Sequence, residues 1–162
     1  MKKLLFISGP AGIGKSTYCR NYINEHPEEK CKIISSDEIR RGLTGSYKEF
    51  LPGKDMNPIY KMMVDTANDY AAKEDDVTVM LDTTMLFDER RVYFLDNISG
   101  YDYKELGLLK LHDYSICLKR NHERIQEKWV PEEVIQSMVD GYEDPSKEVS
   151  ARFDQVKTIY LD

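Results

Sequence analysis

The sequence predicts an α/β domain built on a parallel sheet, and three observations carry that prediction. Short apolar runs alternate with helix-period patterns along the whole chain. The first apolar run, Lys3 to Ile7, passes directly into Gly9-x-x-x-x-Gly14-Lys15-Ser16, the spacing of a phosphate-binding P-loop. Two aspartates, Asp37 and Asp82, fall at or just after the ends of later apolar runs. Those ends are the carboxyl edge, where open parallel sheets hold their ligands.

The elements follow in order. LLFI makes the first strand. The helix after the P-loop carries Tyr18, Cys19, Tyr22 and Ile23 on one stripe and stops at His26-Pro27. Lys32 to Ser35 reads as a second strand, and Ser35 followed by Glu38 has the spacing of a capping box, which sets Asp37 at a helix mouth. The glycine-rich stretch 42–57 reads either as a surface loop or as a mobile substrate loop. Asn57-Pro58 opens a helix whose Ile59, Met63, Ala67, Tyr70 and Ala71 share a core-facing side. Val77 to Leu81 is a third strand ending in Asp82, and a helix through Val92, Leu95 and Ile98 closes at Gly100. Leu106 to Leu111 is a fourth strand. Ser115 to Lys128 reads as one helix bearing Lys119, Arg120, Arg124 and Lys128. Pro131 opens a further helix through Val134, Ile135, Met138 and Tyr142, and Thr158 to Leu161 is a final strand.

The 162 residues suit a single domain spanning 1–162. At 41% hydrophobic and 32% charged residues, the composition is that of an ordinary soluble protein. No apolar run approaches the roughly 18 residues a membrane span needs, and the chain enters its first strand without a signal-peptide pattern. Three widely separated cysteines, Cys19, Cys31 and Cys117, argue for reduced thiols in a cytoplasm. A net charge of −6 argues against a protein that coats nucleic acid, while leaving room for a small basic site. His26, His112 and His122 lack metal-ligand spacing. The motifs Asn-Lys-x-Asp and Asp-x-x-Gly are missing, which argues against a guanine-nucleotide switch.

The chemistry-bearing residues form a candidate set. Glycines in the loop let backbone N–H groups curl around phosphate oxygens, Lys15 adds a point charge near the β- and γ-phosphates, and Ser16 offers a hydroxyl to Mg²⁺. Gly9, Gly12, Ile13, Gly14, Lys15, Ser16 and Thr17 make up the expected ATP cradle. Asp82 reads as a carboxylate for Mg²⁺ or as a helix cap. Asp37 and Arg40, three apart, share a helix face. A carboxylate there can take a proton from an acceptor hydroxyl, and a guanidinium beside it can fork onto an acceptor phosphate; the alternative is a cap and a surface arginine. Arg120 and Arg124, four apart, either cover the transferring phosphoryl group or form a solvated face with Glu123 and Glu127.

With those residues in place, "GPAGIGKST", "ISSDEIRRGL", "LDTT" with "ERR" after it, and "LKRNHER" with "VPEEVIQSM" after it resemble the P-loop kinases of the polynucleotide 5′-hydroxyl kinase type, in order from about residue 3 to 140. The resemblance implies a P-loop NTPase kinase fold with a four- to five-stranded parallel sheet, a helical lid and an active-site tunnel. It implies Asp37 as general base, Arg40 on the acceptor's 3′-phosphate, Asp82 as the carboxylate after the third strand, and Arg120 and Arg124 as lid arginines, Arg124 contacting the donor phosphates. Met85 stands where such kinases often carry asparagine.

The expectation is therefore an ATP-dependent kinase that uses Mg²⁺ and phosphorylates the 5′-hydroxyl of a DNA or RNA strand, working alone or beside a separate repair ligase. Two alternatives stand next to it. One is a small-molecule kinase acting on a nucleoside, sugar or nucleotide sugar. The other is an ATP-binding regulatory module without an acceptor.

Overall fold

A computed structural model describes residues 1–162. Five parallel strands make one sheet in the order β2-β3-β1-β4-β5. They are β1 (Lys2–Ser8), β2 (Cys31–Ser35), β3 (Val77–Asp82), β4 (Tyr103–Lys110) and β5 (Gln155–Tyr160). The helices between them are α1 (Lys15–Glu25), α2 (Ser36–Thr44), α3 (Asn57–Lys73), α4 (Asp88–Asn97), α5 (Ser115–Glu123), α6 (Glu132–Asp140) and α7 (Lys147–Ser150). This is the α/β P-loop arrangement the sequence predicts, with five strands.

The alternation of side chains along β1 explains the two layers of helix. Leu4 and Phe6 face one side and pack with Met63 and Ala67 of α3, Phe94 of α4 and Val149 of α7. Leu5 and Ile7 face the other and pack with Cys19 of α1, Cys117 of α5 and Ile135 of α6. Both sets are shielded from water because a parallel sheet with crossover helices is covered on both faces. Phe6 meets Phe153 edge-on, ring centres 4.9 Å apart, and Phe94 at 6.3 Å. Removing such a ring costs about 3–5 kcal/mol.

The central strands β1 and β3 send the chain in opposite directions, β1 across β3 to β2 and β3 across β1 to β4. The crevice at their carboxyl ends is the place where such a sheet leaves room for a ligand. The register pairs Ile7 with Asp82, so the P-loop begins beside that aspartate. Ser8 Oγ donates to the Met85 carbonyl at 2.8 Å, and the Gly9 N–H donates to the Thr84 carbonyl at 3.0 Å. These bonds tie the start of the P-loop to the segment leaving β3.

One expected element differs. The helix from Ser115 stops at Glu123, Arg124 is extended, and Gln126–Lys128 form a single 3₁₀ turn. Asn121 causes the break. Its Oδ1 accepts from the Val130 N–H and its Nδ2 donates to the Val130 carbonyl, both at 2.8 Å. A buried amide that satisfies a backbone pair nine residues on folds the chain back, which a continuous helix forbids. The strands β4 and β5 also begin about three residues earlier than their apolar runs.

Candidate functional site

The P-loop, Gly9 to Gly14, closes tightly because two of its glycines are left-handed, Gly12 at φ 81° and Gly14 at φ 108°. A Cβ on Gly12 would lie 2.7 Å from the Cys117 carbonyl oxygen, so the loop packs directly on α5. The first turn of α1 then points its free N–H groups and its positive dipole end at the loop's concavity. Ile13 is fully buried, so its side chain serves the core while its backbone serves the loop. Thr17 is exposed, and its hydroxyl accepts from Arg20 at 3.3 Å.

Lys15 Nζ folds over its own loop and donates to the Gly9 and Pro10 carbonyls at 3.0 and 3.1 Å. Burial pulls its pKa below the ordinary lysine range, and the charges of Asp82 and Asp37 oppose that shift. Ser16 Oγ donates to Asp82 Oδ2 at 2.8 Å. Asp82 is buried, 6% exposed, at the end of β3.

This arrangement fits a nucleotide with Mg²⁺. Two oxygen donors stand in contact, and a hard cation of this size needs only one or two protein ligands beside phosphates and water. No cluster of three or more histidine, cysteine, aspartate or glutamate side chains offers a complete protein cage. Ser16 and Asp82 would hold the ion, whose contribution is to neutralise phosphate charge.

Asp37 opens α2 on the neighbouring strand end, and its side chain is 57% exposed. The Ser35 hydroxyl caps this helix by accepting from the Glu38 N–H at 3.3 Å, one half of the expected capping box. The Glu38 carboxylate instead accepts from the Tyr47 hydroxyl at 2.5 Å.

Arg40 is where the structure departs from the expected role. Its guanidinium is 7% exposed. Nη1 donates to the Tyr47 and Glu49 carbonyls at 2.5 and 2.7 Å, and Nη2 lies 3.4 Å from Asp37 Oδ1. Phe50 covers it, ring centre 4.3 Å away. The arginine straps loop 46–50 onto α2 through its Nη1 donors, with Nη2 turned to Asp37. Met85 is likewise withdrawn, 1% exposed in the core, at an unusual φ of 42°.

The lid arginines reach the P-loop side. Arg120 Nη1 donates to the Ile13 carbonyl at 2.7 Å. Arg124 Nη2 donates to Asn121 Oδ1 and the Lys128 carbonyl at 3.0 and 2.7 Å, while its Nε is buried without a partner. Burial lowers the pKa of Arg124, and Asp37 is the charge that counters it. The charge of Asp37 thus bears on both Lys15 and Arg124. A cleft of about 260 Å³ lies between the lid and the strapped loop, lined by Lys48, His122, Gln126, Trp129, Val130 and their neighbours.

Sequence reasoning quoted the pair Arg90 and Arg91 without dividing their roles. Arg91 is fully buried and structural, whereas Arg90 lies over the Tyr60 ring at 4.4 Å. The signal that would have separated them is helical phase, since adjacent residues on a helix point about 100° apart. Asn121, the residue that shapes the lid, carried no sequence signal.

A family model described as an AAA domain matches residues 4–145. No curated protein matches the chain by sequence. A sugar kinase from Janibacter sp. HTCC2649 is similar in structure, with a TM-score of 0.70 and 15% identity over 99% of this chain and 86% of that one. A gluconokinase from Sinorhizobium meliloti 1021 gives a TM-score of 0.62 and 19% identity over 98% and 82%. Kti12 from Chaetomium thermophilum in complex with ADP-AlF3 gives 0.68 and 14% over 98% and 89%. At such identities the likeness is one of fold.

Proposed function

The chain belongs to the AAA domain family, and from that premise we propose that it is an ATP-dependent kinase transferring the γ-phosphoryl group to a hydroxyl of a small-molecule acceptor. The observation that carries this reading is the place of the exposed Asp37, in the first turn of α2 where β2 ends, beside the strand that closes on Asp82 and the P-loop. A nucleotide-holding module needs the loop, Ser16 and Asp82. It has no use for an exposed carboxylate at the same edge of the sheet.

In this reading the loop N–H groups and Lys15 hold the β- and γ-phosphates, with Mg²⁺ held by Ser16 and Asp82 lowering their negative charge. Asp37 accepts the proton of the acceptor hydroxyl as its oxygen attacks phosphorus. The bond from phosphorus to the β–γ bridging oxygen breaks, and ADP leaves. Arg124 and Arg120 meet the charge that builds on the transferring group.

The small acceptor takes first place over a polynucleotide because of Arg40. The group that resemblance sets on a 3′-phosphate is buried and spends both Nη1 donors on the Tyr47 and Glu49 carbonyls. The names sugar kinase and gluconokinase among the similar folds support the same choice. The second reading, a polynucleotide 5′-hydroxyl kinase, rests on aromatic and cationic side chains of the lid and the strapped loop. Trp129, 42% exposed, lines the cleft with Lys48, while Lys54 lies over the Phe50 ring, 47% exposed, and Lys128 over the Tyr47 ring. Aromatic and cationic side chains interleaved in this way suit stacked bases and a phosphate backbone. A separate ligase acting on the product belongs to that reading alone.

Radiolabel transfer from γ-labelled ATP to sugars, sugar acids, nucleosides and 5′-hydroxyl oligonucleotides tests the choice, with Asp37→Asn as the control. The expected result is label on a small acceptor and little on the oligonucleotides. Label on the oligonucleotides alone would install the second reading. ATP binding without transfer to any acceptor would leave a regulatory module.

A further inference from the structure

Two adjacent arginines of α4 do different work. Arg91 Nη1 lies 3.2 Å from Asp88 Oδ1 and Nη2 donates to the Glu143 carbonyl at 2.6 Å, so this fully buried residue pins the chain after α6 onto α4. Arg90 is half-buried, and its side chain has neither a hydrogen bond nor an ion pair. Its one polar engagement is with the Tyr60 ring, 4.4 Å from the guanidinium carbon to the ring centre. A guanidinium resting on a ring is steadied without spending its N–H groups.

Topology places this pair at the site. α3 runs into β3, so its first turn, which holds Tyr60, lies at the carboxyl edge of the sheet. α4 leaves β3 from the same edge, so its first turn, which holds Arg90, lies there too. Asp37 is in the first turn of α2, which leaves β2, the strand paired with β3. Three first turns thus gather over the ends of β2 and β3. Burial raises the pKa of Tyr60, Arg90 opposes the rise and Asp37 adds to it, as expected of three groups in one neighbourhood. The carboxylates of the same turn do not pair with Arg90: Asp88 is held by Arg91 and by the Ser146 N–H, and Arg90 forms no ion pair with Glu89.

We propose that Arg90, steadied by Tyr60, binds an anionic group of the acceptor, a carboxylate or a phosphate, while Asp37 faces the acceptor's reacting hydroxyl. This rests on the kinase reading above and names the acceptor class within it, a hydroxyl compound that carries an oxyanion. Arg40 does not compete for that group because the residue is buried, with both Nη1 donors on the loop carbonyls and Nη2 toward Asp37. Arg120 and Arg124 do not compete because they lie on the donor side with Ile13 and Lys15.

Arginine-selective labelling with phenylglyoxal, read by mass spectrometry of the peptide containing Arg90, tests the anion site without requiring turnover. The probes are D-gluconate against D-glucose, and adenosine 3′-monophosphate against adenosine. The expected result is that Arg90 labels in the free protein and that one anionic probe protects it while its neutral partner does not. Protection by gluconate identifies a carboxylate acceptor, and protection by the nucleotide a phosphate-bearing one. Protection by neither overturns the proposal. In transfer assays Arg90→Ala should lower kcat/KM for the protecting anion roughly ten- to a hundredfold, the loss of a charge-assisted fork, and leave the neutral partner unaffected. Arg90→Lys should recover part of the loss, because it keeps the charge and not the fork. Equal losses on both acceptors overturn the proposal. Protection of Arg90 without transfer to any acceptor keeps the anion site and removes the kinase reading.

Discussion

Ser16 Oγ and Asp82 Oδ2 lie 2.8 Å apart, joining the first turn of α1 to the last residue of β3 across the carboxyl edge of the sheet. The two residues are 66 apart in sequence, yet the register that pairs Ile7 with Asp82 brings them together whenever the sheet forms. A hydroxyl and a buried carboxylate in contact are two hard oxygen donors that would hold Mg²⁺ beside phosphates and water.

That relationship makes a prediction about metal dependence. Asp82→Asn keeps the size and the Ser16 contact and removes the charge. Mg²⁺-ATP binding should weaken roughly tenfold to a hundredfold, on the scale of a lost charge-assisted contact. Binding of ATP in the presence of EDTA should change little. Calorimetric titration with and without Mg²⁺ measures both, and an equal loss in the two conditions would make Asp82 a purely structural residue.

Asp37 should behave in the opposite way. It is exposed and pairs with Arg40, whereas Ser16 pairs with Asp82, so Asp37→Asn should leave ATP affinity near the wild-type value. Turnover should fall about 10²–10⁴-fold, the range for a removed general base. Stopped turnover with intact nucleotide binding supports the assignment; loss of ATP binding would move Asp37 to the metal or the fold.

The legible parts of this molecule are those in which local pattern and tertiary role agree. β1 and β3 are covered on both faces and carry the apolar runs Leu4–Ile7 and Val79–Leu81, which stand out in the sequence. β5 is an edge strand with every residue exposed or half-buried, so its first three residues read as loop. The break at Arg124 was hidden because its cause is a pairing of Asn121 with Val130, which no helix-period count registers. The P-loop, Asp37 and Asp82 could be found from spacing and strand ends alone. The role of Arg40 could not, since its partners are backbone carbonyls of Tyr47 and Glu49, and a carbonyl leaves no mark on residue type.

The lid makes a third prediction. Arg120 holds the Ile13 carbonyl at 2.7 Å, whereas Arg124 keeps a buried Nε without a partner. Arg124→Ala should therefore lower kcat more than it raises the KM for ATP, because its unspent donor meets charge developing in the transition state. Arg120→Ala should act more on the KM for ATP, by loosening the lid from the loop. Steady-state kinetics of both variants checks the split, and unchanged kinetics in both would leave these residues with a structural role only.

A fourth prediction concerns acid stability. Glu29 is desolvated, which alone would raise its pKa, but hydrogen bonds from Lys3, Tyr22 and Thr78 outweigh this and hold it below the usual glutamate range. A depressed carboxylate pKa means that the unfolded chain binds the proton more readily. The stabilisation is complete above the unfolded-state pKa, about 4.3, and is lost as pH falls through the lower folded value. Thermal melts from neutral pH downward should show a steep acid limb in the wild type that is shallower in Glu29→Gln. Parallel limbs in the two proteins would mean that Glu29 is not a source of acid lability.

Arg40 gives the last prediction, which separates a strap from a ligand. Its guanidinium makes two hydrogen bonds to loop carbonyls and an ion pair with Asp37, and Phe50 covers it. Removing it leaves the Tyr47 and Glu49 carbonyls without those donors and frees loop 46–50 from α2. Hydrogen bonds to a charged group contribute about 1.5–3 kcal/mol. In a domain of this size each kcal/mol moves Tm by about 2–4 °C, so Arg40→Ala should melt roughly 5–10 °C below the wild type. Limited proteolysis should cut within 45–56 sooner in the variant. Kinetically, a loosened loop should lower kcat/KM for phosphate-bearing and phosphate-free acceptors by the same factor, since both cross the same rim. A ligand would behave differently, with stability kept and the loss confined to acceptors bearing a phosphate. That second pattern would restore Arg40 to the acceptor and bring the polynucleotide reading back to first place.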